Sequence, residues 1–474
     1  MIQHRDRRLH HVPPQCPRIL RLTVLGLVLA TLSSDLDPVW AQAEYEGIPI
    51  NYLTGTPDDA ISRLQKRIDG EQIQLEFDVD HGYLKSLLKH LSIPISSQLL
   101  VFSKTSLQVN AIGPQTPRAI YFSDDVYVGW VQNGDVIEVS SVDPRLGANF
   151  YTLAQRRQSR PVLIRKTHRC LSCHGASQTR NVPGHIVRSV FPSTSGLPIF
   201  SAGTFRTDDR SPFSQRWGGW YVTGTHGQQH HMGNVVVKLM RDPLSRQRSP
   251  SVALDHEAGA NIVDLKNLVN TDPYLTRHSD IVALMVLGHQ TRTHNAVTRA
   301  GFAARRALHD AKVFNKFTEQ PADTLTDSAR RRIASAGERL LRSLLLVGEH
   351  RLTGPIQGTT DFAERFGQLG PRDRRGRSLR DLDLRQRLFR FPCSFVIYGP
   401  AFDKLPQPLL EHVFQRLHEI LLGRDTSREY THLSKSQRTA LLEILQETKP
   451  AFDAFCRRKV GKQTRSKRAH DSVE

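Results

Sequence analysis

The chain has 474 residues, of which 38% are hydrophobic, 7% aromatic and 23% charged, which excludes a disordered polymer, a fibrous repeat and a disulfide-dense miniprotein. The length suggests about three domains or lobes. With 65 Lys and Arg against 46 Asp and Glu the formal charge is +19, a balance that draws nucleic acid, anionic membrane surfaces or acidic proteins.

The N-terminus narrows those partners. Arg5, Arg7, Arg8, Arg18 and Arg21 precede a compact apolar run from Leu22 to Leu32, and Ala41-Gln42-Ala43 follows as a small-x-small cleavage site. The run falls short of the roughly 20 apolar residues of a spanning helix. Residues 1–43 therefore read as a signal peptide, and export to the periplasm or beyond makes nucleic acid an unexpected partner. Their five Arg and three Asp take +2 away on cleavage and leave +17.

Residues 44–150 predict a mixed lobe. Thr56-Pro57-Asp58-Asp59 marks a helix start, with Ile61, Leu64 and Ile68 at helical spacing behind it. Leu84, Leu87, Leu88 and Leu91 mark a second short helix. Strands are expected at 99–102, 119–122, 126–131 and 136–140, with Asn133-Gly134 as a hairpin turn between the last two. Residues 151–254 are rich in Gly, Pro and His, with strand-like runs at 186–191, 217–222 and 235–239. From 255 to 455 the pattern is helical, with helices expected at 280–308, 326–346, 409–422 and 434–447. Residues 456–474 read as a basic, disordered tail, or as an arm for anionic lipid or an acidic redox partner. No internal repeat occurs. The fold class is α+β: a β-containing N-terminal half and a helical C-terminal half.

The chemistry is carried by Cys170-Leu171-Ser172-Cys173-His174. C-x-x-C-H is the attachment signature of c-type haem. Two thiols three residues apart reach the two vinyl groups on one porphyrin edge, and the next residue supplies an axial imidazole. In a random shuffle of this composition the pattern is expected about 0.002 times. A zinc site would want a second ligand pair, which the widely separated Cys393 and Cys456 do not supply. A thioredoxin-like pair would want a βαβ setting. One covalent haem c per chain is the expectation, held within residues 151–254. Cys393 and Cys456 are left either as a disulfide or as two buried thiols.

The motif resembles the haem site of c-type cytochromes. More widely, Trp217-Gly-Gly-Trp-Tyr-Val-Thr-Gly224, the following His-Gly and His-Met-Gly-Asn, Gly288-His-Gln and His294-Asn resemble a group of uncharacterised secreted bacterial cytochrome-c-like proteins. That resemblance implies one covalent haem and a redox role, without a substrate. Unlike small soluble cytochromes c, the motif here follows more than a hundred residues of the mature chain and lies in strand-like sequence.

His174 is the expected proximal ligand. The distal candidates are Met232, His231 and His226 in one loop, and His289 on the long helix. At 100° per residue, His278, Met285 and His289 fall within about 40° of one another. Taken singly, each of these residues is more commonly core or loop than ligand. His289 next to Gln290 on an apolar face demands a partner. Trp217, Trp220 and Tyr221 suit either a porphyrin face or sheet packing, and His168 and His185 flank the motif as supporting groups. The Arg-rich stretch 372–380 suits haem propionates, an acidic partner or a solvated loop. With both axial positions filled the expectation is electron transfer to a redox partner protein. With the sixth open it is a peroxidase-like haem oxidoreductase, and with haem in a non-redox role a binding or sensor protein.

Overall fold

A computed structural model describes residues 44–240 and 251–459, so the expected signal peptide and most of the expected basic tail lie outside the described residues. The first helix, α1 (Ala60–Asp69), starts one turn later than the Thr56 signal implies, because Asp59 is its cap. Asp59 Oδ1 accepts from the amides of Ile61 and Ser62, both at 2.9 Å. Its other oxygen accepts from Asn149 Nδ2 at 2.8 Å and the Tyr151 hydroxyl at 2.7 Å. One buried carboxylate thus ends a helix and staples it to a strand.

The strand signals of the first lobe resolve into a six-stranded antiparallel meander whose spatial order is its chain order. Its members are β1 (Leu99–Val101), β2 (Arg118–Phe122), β3 (Val126–Trp130), β4 (Val136–Asp143), β5 (Gly147–Ala154) and β6 (Ile164–Arg165). Alternation sends Ala119, Tyr121, Val128, Trp130, Val139 and Tyr151 into one core with α1 and α2 (Leu84–His90). The opposite face is divided. Phe122, Tyr127 and Val142 pack into the main core with the helices, whereas Arg118, Ile120 and Glu138 are only half-buried.

The region after the sheet holds little regular structure: α3 (Leu171–His174), the hairpin β7 (Arg188–Val190) with β8 (Thr204–Arg206), and the pair β9 (Lys238–Met240) with β10 (Ser251–Ala253). Residues 217–222 do not form the expected strand. Trp217 and Gly219 adopt φ of 65° and 86°, which breaks the extended run, and only Trp220 keeps a bridge to Val101.

The helical half follows its periodicity closely. The long helix α4 (Ile281–Phe317) outruns its expected end at 308 by two turns or more. It is followed by α5 (Asp327–Leu344), α6 (Phe362–Gln368), α7 (Pro400–Asp403), α8 (Gln407–Leu421) and α9 (Lys435–Thr448). The first turns of α4 are buried on every side, from Ile281 through Gln290, so it runs through the centre of the molecule. The described residues form a single compact unit, in which α5 packs along α4. Among the described residues no helix is long and apolar enough to cross a membrane. The α+β assignment, β-rich half first, stands.

Candidate functional site

Cys170 caps the single turn of α3, and Cys173 and His174 lie on it, followed by Gly175. Gly175 is required here: a Cβ would run into the Tyr45 hydroxyl. Cys170 is half-buried and Cys173 exposed, and both are free thiols. Neither sulfur is tied up in a disulfide, and Cys173 Sγ accepts only a long contact of 4.0 Å from the Ser172 hydroxyl.

His174 is fixed from behind. Its Nδ1 lies 2.9 Å from the Gly184 carbonyl oxygen, and its own carbonyl accepts from the Gly184 amide at 2.8 Å. Because a carbonyl only accepts, Nδ1 carries the proton and Nε2 holds the free lone pair. The ring leans on Phe150 of β5 with centroids 4.8 Å apart. Burial lowers the pKa of His174, and the nearby charges of Arg118 and Arg188 lower it further while the Gly184 bond and Glu138 oppose them. The neutral imidazole is the form that binds a metal. A donor set of two free thiols and one neutral, oriented imidazole within five residues fits covalent haem.

The Gly184 loop is itself held by α4. Asn295 Oδ1 accepts from the His185 amide at 2.9 Å, and Asn295 Nδ2 donates to the His185 carbonyl at 2.7 Å. Any side chain at Gly184 would collide with Asn295. His185 places Nε2 2.7 Å from the Ser140 hydroxyl, while its buried Nδ1 has no partner. Phe150 touches the rings of both His174 and His185.

The distal candidates each have partners of their own. His231 and His226 lie with ring centroids 4.7 Å apart, tilted by 59°, beside Phe213. His231 Nδ1 accepts from the Gly233 amide at 3.0 Å, and burial pulls its pKa down to about 3. His226 Nε2 accepts from the Asn261 amide at 3.0 Å. Met232 is buried with its sulfur 3.6 Å from the Ser189 hydroxyl, on the opposite side of β7 from Arg188.

His289 meets the Ser394 hydroxyl at 2.7 Å and stands 3.7 Å from an Asp209 oxygen. Gln290 donates to the carbonyls of Ser123 and Asp124 and to the Tyr127 hydroxyl. The polar pair on the apolar helix face therefore finds protein partners. His278 precedes the cap of α4 and is not helical. Trp217 packs on Phe213 and His231. The Arg-rich loop closes on acidic neighbours, Arg377 on Asp373 and Glu443, and Arg375 on Glu443. The sequence assigns no role to Gly184 or Phe150, and it offers Asn295 only as part of the His294-Asn resemblance; Pro183-Gly184-His185 is the one local signal of the Gly184 turn.

Comparison of the chain with family models, curated proteins and solved structures finds no match.

Proposed function

We propose that the chain is an exported c-type haem protein that passes electrons in the bacterial periplasm or cell envelope. The observation that carries this reading is the commitment of His174 Nδ1 to the Gly184 carbonyl beside two free thiols, Cys170 and Cys173. Cys170 and Cys173 would hold one haem by thioether bonds, and His174 Nε2 would ligate its iron. The bound group supplies a one-electron iron couple. The chain's own contribution is to keep the imidazole neutral and aimed, through Gly184 and Asn295. The excess of basic residues favours an acidic redox partner and peripheral contact with an anionic membrane surface.

A second reading, a peroxidase-like haem oxidoreductase or a haem-based sensor with an open sixth position, draws support from the distal candidates. His226, His231, Met232 and His289 are each buried and engaged with other residues. The first test is a pyridine haemochrome spectrum of protein exported from a host with cytochrome c maturation machinery, after denaturing extraction. A c-type spectrum with one haem per chain, lost in Cys170→Ser and Cys173→Ser, is expected. Absence of covalent haem in exported chain rejects both readings. Carbon monoxide then separates them: a carrier is indifferent, whereas an open site binds it. Separate Met232→Ala and His289→Ala variants with unchanged iron spectra would remove those two as ligands.

A further inference from the structure

Beside the motif, a cleft of about 450 Å³ opens between the turn after α3, the β7–β8 hairpin, α4 and α5. Six arginines line it: Arg180, Arg206, Arg210, Arg292, Arg339 and Arg342. Three of them have carboxylate partners: Arg210 with Asp208 at 3.3 Å, Arg292 with Asp209 at 2.8 Å and Arg342 with Glu429 at 2.7 Å. Among the described residues, Arg180, Arg206 and Arg339 meet no carboxylate. Asp208 is the sole acidic residue of the lining.

Like charges gathered without counter-ions are unfavourable, and here the cost is visible. Burial and the neighbouring charges of Arg210, Arg206, Arg299 and Arg292 push Arg180 down to about 10. Arg180 also adopts a φ of 62°, a left-handed conformation that such side chains rarely take. Strain and repulsion at one point of a cleft are characteristic of a site completed by something else.

The floor points the same way. His185 is 8% exposed and Ser343 is 3% exposed; both line the cleft. His185 Nδ1 and Ser343 Oγ are buried with no hydrogen-bond partner, as is Arg210 Nε in the wall. Buried polar atoms are normally satisfied, and three orphans around one arginine-lined space match a ligand rich in acceptor oxygens.

We propose that this cleft binds a small polyanion carrying about three negative charges, of the size of pyrophosphate or a tricarboxylate. Its oxygens accept from Arg180, Arg206 and Arg339 at the rim. The volume of about 450 Å³ is far larger than a single phosphate or sulfate needs and leaves room for a ligand with several anionic groups. The site stands on the cleft alone and does not depend on haem being attached.

The test is calorimetric titration of the exported chain, with and without covalent haem, at fixed ionic strength in metal-free buffer. Pyrophosphate and citrate are the probes, with acetate as the monoanion. The expected result is one saturable site per chain in both forms, at least tenfold tighter for a polyanion than for acetate. The tighter of the two probes tells phosphoryl from carboxylate chemistry. Arg180→Gln and Arg339→Gln should each weaken binding by tenfold or more. Arg339 lies on the exposed side of α5, so its variant remains informative if Arg180→Gln disturbs the turn. Arg63→Gln, on α1, should bind as the parent does.

Heat that does not saturate, or equal weakening by Arg63→Gln, would reduce the cleft to a diffuse positive field and overturn the proposal. Binding in haem-free chain that vanishes with haem attached would overturn it too, by giving the arginines to the haem propionates. Saturable binding in a chain that never takes up haem would sustain the cleft and reject the haem reading.

Discussion

Asn295 grips both backbone polar groups of His185, accepting from its amide at 2.9 Å and donating to its carbonyl at 2.7 Å. The preceding carbonyl, that of Gly184, fixes the His174 tautomer. A side chain in the middle of α4 thus sets the angle of an imidazole it does not touch. Asn295→Ala should cost about 2–3 kcal/mol in stability, for two lost hydrogen bonds and the groups left behind. A purely structural role would end there. A positioning role also predicts a changed reduction potential or iron spectrum in the haem-loaded variant. An Asn295→Ala protein that is less stable yet has an unchanged potential would reject that coupling.

Asp280 is the joint that places α4. One oxygen caps the helix through the amides of Val282 and Ala283. The other accepts from the Thr359 and Thr360 amides and the Thr360 hydroxyl, at 2.8 to 2.9 Å. With the carboxylate fully buried, Asp280→Ala removes a cap and strands several donors at once. The expected loss is about 3–5 kcal/mol, read from the denaturant midpoint. Asp280→Asn, which keeps two polar atoms, should lose less. Equal losses would mean that the charge rather than the bond count matters.

The difference between what was legible and what was not follows from chain distance. Leu84, Leu87 and Leu88 announce α2, and α4, α5, α8 and α9 start within two residues of their periodic signals, because period and cap are local properties. Trp217 to Val222 reads as a strand from its aromatics, but positive φ at Trp217 and Gly219 turns it into a loop. The motif at Cys170 to His174 is likewise local and was visible at once. Its supports were not. Asn295 lies 110 residues from His185 in sequence, and Arg180, Arg206 and Arg339 come together only when α5 packs along α4. The His226–His231 cluster is dense in sequence, whereas the hydrogen bond from the Asn261 amide to His226 and the packing on Phe213 join residues far apart in the chain.

The cysteines divide by exposure. Cys173 is exposed and Cys170 half-buried, while Cys393 and Cys456 are buried free thiols. Burial pushes the Cys393 thiol up to about 12 and raises Cys456 as well, so neither forms the reactive thiolate at neutral pH. In haem-free native protein, a disulfide-exchange reagent should therefore count exposed Cys173 quickly, half-buried Cys170, whose thiol burial also raises, more slowly, and the other two only on unfolding. With haem attached, none should react in the native state and two should appear in denaturant. A haem-free chain lacking two thiols after unfolding would instead reveal a disulfide between Cys393 and Cys456.

Glu349 supplies a pH dependence with a definite sign. Burial raises its pKa from 4.5 to about 7; Asp209 adds to the rise, and the Leu388 amide, Arg387 and Arg216 oppose it. The native state therefore holds a proton that the unfolded chain has released. Stability from this group is full below about pH 4.5 and is lost as pH rises toward 7, by roughly 3 kcal/mol. Asp125, raised to about 6 mainly by burial, acts in the same direction. Buried neutral histidines act oppositely: His294, lowered to about 4, and His231, lowered to about 3, favour folding as pH rises toward 6.5. Asp209, held well below the carboxylate range chiefly by Arg292 and His289 against its burial, matters only in stronger acid. The parent curve sums these terms, so the measurement is a difference. Denaturant stability of Glu349→Gln minus that of the parent should rise between pH 4.5 and 7 and level off above. A flat difference across that window would mean that Glu349 is ionised in the native state and that Arg216 and Arg387 outweigh its burial.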